Sequence, residues 1–167
     1  MKHAAVIAFA AFSMIGCSGP ETKGPERAQA AACNVSEGGS VTVANAWIRT
    51  QSDPGAMSAA YFTLCNGSSQ PVTVNGVETP AAGIAELHET TRDERGVVSM
   101  APMGPFTLAP GEAVTFEPGG KHAMLMDLAA PIAENSTTVL SIRLSDGAAI
   151  STEAGAMSAA DAAAHNH

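Results

Sequence analysis

Beyond residue 40 the chain consists of short apolar or alternating runs separated by turn-forming residues. Nine runs have the length and the β-branched or aromatic content that are typical of strands. In chain order they are VTVANAWIRT, SAAYFTLC, PVTVNGVE, IAELHETT, GVVSM, AVTFE, HAMLMDL, TTVLSIRL and GAAISTE. Segments rich in Gly, Pro, Asn and Asp, such as SDPG, RDERG and EPGGK, lie between them. Many short strands with no long helical period predict one all-β sandwich or barrel over residues 41–154.

The two flanks of this domain have a different composition. Residues 17–40 contain mostly Gly, Pro, Ala, Ser and charged residues, with almost no large apolar side chain. Such a segment buries too little apolar surface to fold, so we expect a flexible tether that joins an anchor to the domain. Residues 155–167 form an alanine-rich end that carries Met157, His165 and His167, and we expect a flexible tail there.

The N-terminal segment has the features of an export signal. Lys2 and His3 precede an apolar run of about a dozen residues, which is too short to span a bilayer as a mature helix. The run ends in MIGC, which resembles the lipobox of bacterial lipoproteins. This resemblance implies lipidation of Cys17 and removal of residues 1–16. Cleavage after the A-x-A site at residues 28–30 is the alternative, but that site is separated from the apolar run by several charged residues.

Charge and location limit the classes of partner. The serine that directly follows Cys17 resembles lipoproteins sorted to the outer membrane, so we expect a periplasmic protein anchored there rather than at the inner membrane. Removing residues 1–16 takes away Lys2 and leaves seven basic and sixteen acidic side chains, a formal charge of −9. Such a surface repels nucleic acid and anionic lipid. We therefore expect no nucleic-acid partner, and contact with the membrane through the lipid anchor alone.

Three cysteines are present, and lipidation of Cys17 would leave Cys33 and Cys65. An even pair in an oxidising compartment is a disulfide candidate. Two unpaired, small buried residues are the alternative. The sequence contains no C-x-x-C pair, so a thiol-redox enzyme has no motif in this chain.

Residues 122–126 read HAMLM and place soft donors on alternate positions of a predicted strand. Because side chains alternate across a strand, His122, Met124 and Met126 share one face. Core packing is the simple interpretation, since methionine fills irregular apolar gaps. His122 argues against it, because an imidazole on a buried face needs a partner.

Four residues of the predicted domain form a candidate metal site: His88, Met100, His122 and Met124. Each lies in a predicted strand, so the four side chains can converge on one rim of a sandwich. Uncharged thioether sulfur together with imidazole suits Cu(I) better than zinc, magnesium or calcium. Zinc would need thiolate, carboxylate or a third imidazole, and blue copper would need a thiolate beside two imidazoles. The pattern predicts a Cu(I) site, with Met126 packed below it.

The spacing of these residues resembles the copper motif of the periplasmic copper chaperones of the PCu(A)C type. The motif reads H-x11-M-x21-H-x-M and extends without a gap from His88 to Met124. The segments ANAWIRT, GAMSAAYFTLCN and PGGKHAMLM are similar to the same family, so the resemblance covers roughly residues 41–146. Glu89 stands where many members have methionine, at a position that is not usually counted as a ligand.

The resemblance implies a cupredoxin-like, Greek-key β-sandwich that binds Cu(I) and passes it to an acceptor protein, without catalytic turnover. The acceptor would be a copper centre of cytochrome oxidase or one of its assembly factors, and we expect the chaperone to be a monomer. Some members have a second copper site in a C-terminal extension. Here Met157, His165 and His167 would form it, and its imidazole content would favour Cu(II). Met57 and Met103 are candidate auxiliary sulfurs, with surface or core positions as the alternative.

Two other functions remain open from the sequence. A copper-sequestering resistance lipoprotein would use the same site but have no specific recipient. A metal-dependent hydrolase would use His88, His122 and Glu89, but it needs a third good ligand and an open water position that the sequence does not supply. Metal selectivity separates the hydrolase from the copper proteins. A transfer assay with apo-acceptors separates the chaperone from the sequestering protein.

Overall fold

The computed structural model describes residues 39–165, and most of them lie in ten strands. The strands are β1 (Val41–Arg49), β2 (Ser58–Asn66), β3 (Val72–Glu78), β4 (Ala82–Arg92), β5 (Val98–Pro102), β6 (Phe106–Leu108), β7 (Ala113–Phe116), β8 (Lys121–Leu128), β9 (Thr137–Leu144) and β10 (Ala149–Met157). One short helix, α1 (Ala159–His165), follows the last strand. The predicted all-β fold is confirmed. Within residues 39–165, no helix has the length and apolar character needed to cross a bilayer.

The ten strands form one connected sheet. Nine of them pair in the order β5-β4-β8-β2-β1-β10-β9-β3-β6, and β7 pairs with the second half of β2. The first half of β2 pairs with β8. All of these pairs are antiparallel except β1 with β10, which run parallel. Strands β5 and β6 are therefore the two ends of the sheet.

The composition of the core shows that this sheet folds over on itself. Leu87 and Leu125, from the β4–β8 end, belong to the same buried cluster as Val74 and Ile142, from the β3–β9 end. Side chains alternate between the core and the outer face, and on β2 every second residue from Ala60 to Leu64 belongs to this cluster. The result is a β-sandwich in which two halves of one sheet face each other across a hydrophobic core.

Each of the nine predicted strands overlaps an observed strand, and the strand that the pattern missed is β6. Its three residues are too few for an alternation to be visible in the sequence. It is held by pairing with β3, where Leu108 lies opposite Val72 and is completely buried. A long-range pairing therefore creates this strand, and local propensity does not.

Residues 155–165 lie mostly in regular secondary structure, whereas their composition predicted a flexible tail. Strand β10 continues through Met157, paired with β1, and Ala156 is buried. Helix α1 follows and has a polar cap, in which the backbone N–H of Asp161 donates to the hydroxyl of Ser158 and the Asp161 carboxylate contacts that hydroxyl in return. An alanine-rich segment can pack closely against a sheet or stay disordered, and composition alone does not distinguish these two outcomes.

Candidate metal centre

Two histidines lie side by side where β4 pairs with β8. The antiparallel register sets His88 directly opposite His122, and their ring centroids are 6.0 Å apart. Directly opposite residues on one face of a sheet are close enough for their side chains to interact. Both residues are largely buried, with 8% and 7% of their surfaces exposed. The pairing of two strands that are distant in sequence thus brings the two predicted imidazole ligands together.

Each imidazole has one ring nitrogen in a hydrogen bond. Nδ1 of His122 lies 3.1 Å from the carbonyl oxygen of Gly120, and Nε2 of His88 lies 3.2 Å from Oε2 of Glu86. Nδ1 of His88 is buried and, among the side chains of the described residues, is the one such nitrogen or oxygen without a hydrogen-bond partner. A buried, unpaired polar atom costs about 1–3 kcal/mol, and coordination to a metal would remove that cost. The donor set therefore fits a metal ion.

The two predicted thioether ligands lie on the same face of the sheet as the histidines. Met124 follows His122 by two residues on β8, so strand alternation puts both side chains on one side. Met100 lies on β5 opposite Thr90, and Thr90 shares a face of β4 with His88. Met124 is half-buried, whereas 51% of Met100 is exposed because β5 is the end strand. All four predicted ligands therefore lie on one face of the β5–β4–β8 segment.

A cavity of about 490 Å³ opens on this face of the sheet. Met100, His122 and Met124 are all in its wall. His88 is not one of the wall residues, although it lies next to His122. The structure therefore brings three of the four predicted ligands to one cavity and places the fourth beside it.

Trp47 and Tyr61 form an aromatic part of the cavity wall, with ring centroids 4.3 Å apart. Trp47 reaches this face because β1 contains a β-bulge, in which the register with β2 shifts between Ala44 and Trp47. Without the extra residue, strand alternation would turn Trp47 toward the core. At the bulge Asn45 adopts a φ of 52°, a left-handed conformation that Asn tolerates better than most residues. The bulge therefore builds one side of the cavity.

Arg49 is the charged residue of the cavity wall. Burial raises the pKa of the Tyr61 hydroxyl, and the Arg49 guanidinium opposes that shift in part. Arg49 also donates a hydrogen bond to the carbonyl oxygen of Met57, as does the side-chain amide of Gln51, each at 3.2 Å. These two bonds fix the backbone at Met57, whose side chain is in the cavity wall and 53% exposed.

The other methionines near the site have different surroundings. Met103, a candidate auxiliary sulfur, is partly buried and packs against the hydrophobic core. Met126 lies two residues beyond Met124 on the same face of β8, half-buried and opposite Ile84 of β4. Of the two candidate auxiliary ligands, Met57 is therefore a residue of the cavity wall and Met103 is not.

The two glutamates nearest His88 on β4 lie on opposite faces of the strand. Glu89, which a hydrolase would need, lies on the opposite face of β4 from His88, and its carboxylate is 2.7 Å from Nζ of Lys121. Within residues 39–165, no group of three His, Cys, Asp or Glu side chains is placed to hold a metal ion. Glu86 contacts a predicted ligand, and the sequence analysis missed it. The signal was present, because the spacing E-x-H puts Glu86 and His88 on one face of a strand.

The residues predicted for a second copper site are only partly within the described structure. Met157 lies on β10 and aligns with Arg49 of β1. His165 is the last residue of α1, and His167 lies outside the described residues. The second site therefore stays a prediction.

The cysteines are also only partly described. Cys65, on β2, is disulfide-bonded. Cys17 and Cys33 lie outside the described residues, together with the signal segment and nearly all of the tether. Pairing of Cys33 with Cys65 and lipidation of Cys17 therefore stay predictions.

Comparison of the sequence with known proteins finds one matching family model and two curated relatives. The family model described as "Putative lipoprotein LpqE-like" matches residues 41–156. A "Putative lipoprotein" of Leifsonia xyli subsp. xyli is 31% identical over 107 residues, which are 64% of this chain and 63% of that protein. An uncharacterized protein of Rickettsia prowazekii is 35% identical over 71 residues, which are 42% of this chain and 39% of that protein. The chain thus matches less than two thirds of the length of these curated relatives.

Comparison of the structure with solved structures finds domains of the PCuAC type. The copper-bound PCuAC domain from PmoF2 superposes with a TM-score of 0.58 at 16% identity, over 76% of this chain and 97% of that domain. The apo PCuAC domain from PmoF1 gives a TM-score of 0.57 at 17% identity, over 76% and 98%. The solution structure of apo-DR1885 from Deinococcus radiodurans gives 0.50 at 27% identity, over 89% and 97%. The cupredoxin-like sandwich that the family resemblance implied is therefore the fold of this chain.

Proposed function

The chain belongs to the LpqE-like family. We propose that this protein is a copper chaperone and that it binds Cu(I) at the site on the outer face of its sheet. The ligands are His88, Met100, His122 and Met124, and the ion is cargo that the protein passes to an acceptor protein. The proposal includes no catalytic turnover.

The observation that carries this proposal is a pair of buried imidazoles that share one face of the sheet with two thioethers. Nδ1 of His88 has no hydrogen-bond partner, and His122 lies directly opposite on the next strand. Met124 and Met100 add soft, uncharged sulfur on the same face. Imidazole with thioether is a donor set that favours Cu(I) over the hard cations, which prefer carboxylate and carbonyl oxygen.

The exposure of the site supports a carrier rather than a permanent copper centre. Met100 lies on the end strand and is half exposed, so a donor atom of an acceptor can approach from that side. Ligand exchange needs such an approach, because the ion leaves one set of ligands only as it gains another. His88 and His122 are nearly buried, so they would hold the ion while Met100 exchanges.

We propose as acceptor a copper centre of cytochrome oxidase or one of its assembly factors, as the resemblance to periplasmic copper chaperones implies. Mixing the Cu(I)-loaded protein with candidate apo-acceptors tests this point. Transfer faster than the spontaneous release of Cu(I) to a chelator supports a chaperone. Transfer no faster than release would favour a copper-sequestering protein. A monomer in solution is expected in both cases.

The location we propose is the periplasmic side of the outer membrane, with Cys17 as a lipid-modified anchor. The match to a lipoprotein family and the MIGC segment support it. Intact mass of the mature protein is the test, and a chain that begins at Cys17 with acyl chains attached is the expected result. A lipid-free chain that begins near Ala31 would contradict it.

The binding site itself is tested by anaerobic titration with Cu(I), followed by X-ray absorption. We expect one tight equivalent whose shell contains two nitrogen and two sulfur neighbours. Met103→Leu is the matched control, because Met103 packs against the core and should not change the copper shell. A shell dominated by oxygen, or one that changes in Met103→Leu, would contradict the assignment.

A further inference from the structure

We infer that the two imidazoles bind Cu(I) through different ring nitrogens, Nδ1 of His88 and Nε2 of His122, and that Glu86 is a positioning residue that sets the first of these. The role in copper binding rests on the proposed function. The tautomer of each ring, however, is a property of the metal-free protein and can be measured without copper.

The hydrogen bond of His122 leaves Nε2 as its donor atom. Nδ1 of His122 lies 3.1 Å from the carbonyl oxygen of Gly120, and a carbonyl oxygen can only accept. Nδ1 therefore carries the hydrogen, and in a neutral imidazole the lone pair is then on Nε2. The carbonyl is held in place, because it also accepts the backbone N–H of Thr90 at 3.1 Å.

The contacts of His88 have the opposite arrangement. Nε2 of His88 lies 3.2 Å from Oε2 of Glu86, and a carboxylate can only accept, so Nε2 carries the hydrogen. The lone pair is then on Nδ1, the buried nitrogen without a partner. The other tautomer would bury an unpaired N–H group and set the lone pair of Nε2 against the carboxylate. Both effects are unfavourable, so Glu86 selects the tautomer of His88.

Strand geometry places Glu86 at the site without making it a ligand. Glu86 and His88 are two residues apart on β4 and share a face. Across the β4–β8 pair Glu86 lies opposite Met124, while His88 lies opposite His122. The four proposed ligands are all uncharged, so a carboxylate one hydrogen bond away from a ligand offsets the charge of the ion. A direct bond from Glu86 to Cu(I) is disfavoured, because carboxylate oxygen is a hard donor.

Residues that fix a ligand histidine have a measurable effect on metal binding. Loss of such an outer partner typically reduces metal affinity about 10–100-fold. Glu86 has half of its side chain exposed to water, so we expect the lower end, about a tenfold loss, in Glu86→Ala. Glu86→Gln keeps a hydrogen-bond acceptor at the same distance along the side chain, and should retain most of the affinity.

The test is the long-range ¹H–¹⁵N NMR spectrum of the metal-free full chain at mildly alkaline pH. The parent should show His88 with the hydrogen on Nε2 and His122 with the hydrogen on Nδ1. In Glu86→Ala, His88 should become a mixture of the two tautomers and His122 should be unchanged. Glu86→Gln should keep the parent pattern. Glu89→Ala is the matched control, because Glu89 lies on the other face of β4 and should change neither ring.

Two results would overturn the inference. One is a parent protein in which both rings carry the hydrogen on the same nitrogen. The other is a Glu86→Ala variant whose His88 tautomer is unchanged. If the tautomers are as stated but the protein binds no Cu(I), the proposed function fails and the role of Glu86 in the metal-free site stands. If Cu(I) binds but X-ray absorption finds an oxygen ligand that Glu86→Ala removes, Glu86 is a ligand and its assignment as a positioning residue is wrong.

Discussion

Replacing Met100 by leucine separates a copper ligand from a structural methionine. The side chain is 51% exposed on β5, the end strand, and does not belong to the hydrophobic core. Leucine keeps the apolar character and nearly the volume of methionine. Such swaps usually cost less than about 1.5 kcal/mol even inside a core. At an exposed position the change in the free energy of unfolding should stay within about 0.5 kcal/mol.

The expected effect of Met100→Leu on copper is much larger. Loss of a residue that merely supports a ligand reduces metal affinity about 10–100-fold, and loss of a ligand should reach or exceed the upper end of that range. A 100-fold loss corresponds to about 2.7 kcal/mol of binding free energy. The loss of binding free energy should therefore be at least about five times the change in stability. Met124→Leu should behave in the same way, with a somewhat larger stability change because Met124 is half-buried.

The assay is anaerobic competition of each variant with a chromophoric Cu(I) chelator, together with urea unfolding of the metal-free protein. Leu87→Ala is the matched control, because Leu87 precedes His88 on β4 but is buried in the core. That variant should lose about 2–5 kcal/mol of stability, while its folded fraction keeps the copper ligands. If Met100→Leu and Met124→Leu both bind Cu(I) like the parent, the site lies elsewhere and the reasoning is wrong.

Three further predictions concern the rest of the chain. A Cys33–Cys65 disulfide would close a loop of about 31 residues, so its reduction should lower the free energy of unfolding by about 3–4 kcal/mol; two free thiols counted under denaturing conditions would contradict the pairing. Replacing His165 and His167 by alanine should leave the first Cu(I) equivalent unchanged and remove only a weaker Cu(II) site, as followed by titration with each ion; loss of the first equivalent would mean that the ligands are misassigned. Burial raises the pKa of Tyr61, so in an alkaline titration its phenolate absorbance should appear at higher pH than that of free tyrosine. The stability that comes from keeping this phenol neutral should be present below the unfolded-state pKa and lost as the pH rises through the folded-state value; appearance of the phenolate at or below the pH of free tyrosine would contradict it.

The strands were predictable because their signal is local. Alternation and turn residues located nine of them, and alternation also placed His122 and Met124 on one face. Met100 and His88 could be put in strands by the same argument. Their convergence could not be derived in that way, because it depends on the pairing of β4 with β8, and the register of a pair between distant strands is not written in either strand alone.

The parts of the site that the sequence analysis missed depend on a register shift and on side-chain rotamers. Trp47 faces the cavity only because of the bulge at Asn45, and one residue more or less in β1 would have turned it inward. The contact between Glu86 and His88 could have been proposed from their spacing. Which ring nitrogen of His88 contacts Glu86 depends on the rotamers in the folded protein. The same rotamers decide which ring nitrogen is left without a hydrogen-bond partner.

A site made of thioethers and imidazoles can exist in a stable fold with or without its ion. Without copper, Met124 is half-buried in the cavity wall, and the rings of His88 and His122 each keep one hydrogen bond. The metal-free state then carries one buried unpaired nitrogen, at a cost of about 1–3 kcal/mol. A small domain with a stability of about 5–15 kcal/mol tolerates that cost, and the copper binding that we propose would regain it. The same property explains why HAMLM is compatible both with a core strand and with a copper ligand pair. Soft donors satisfy both requirements, and the position of His88 directly opposite His122 is the observation that supports the copper interpretation.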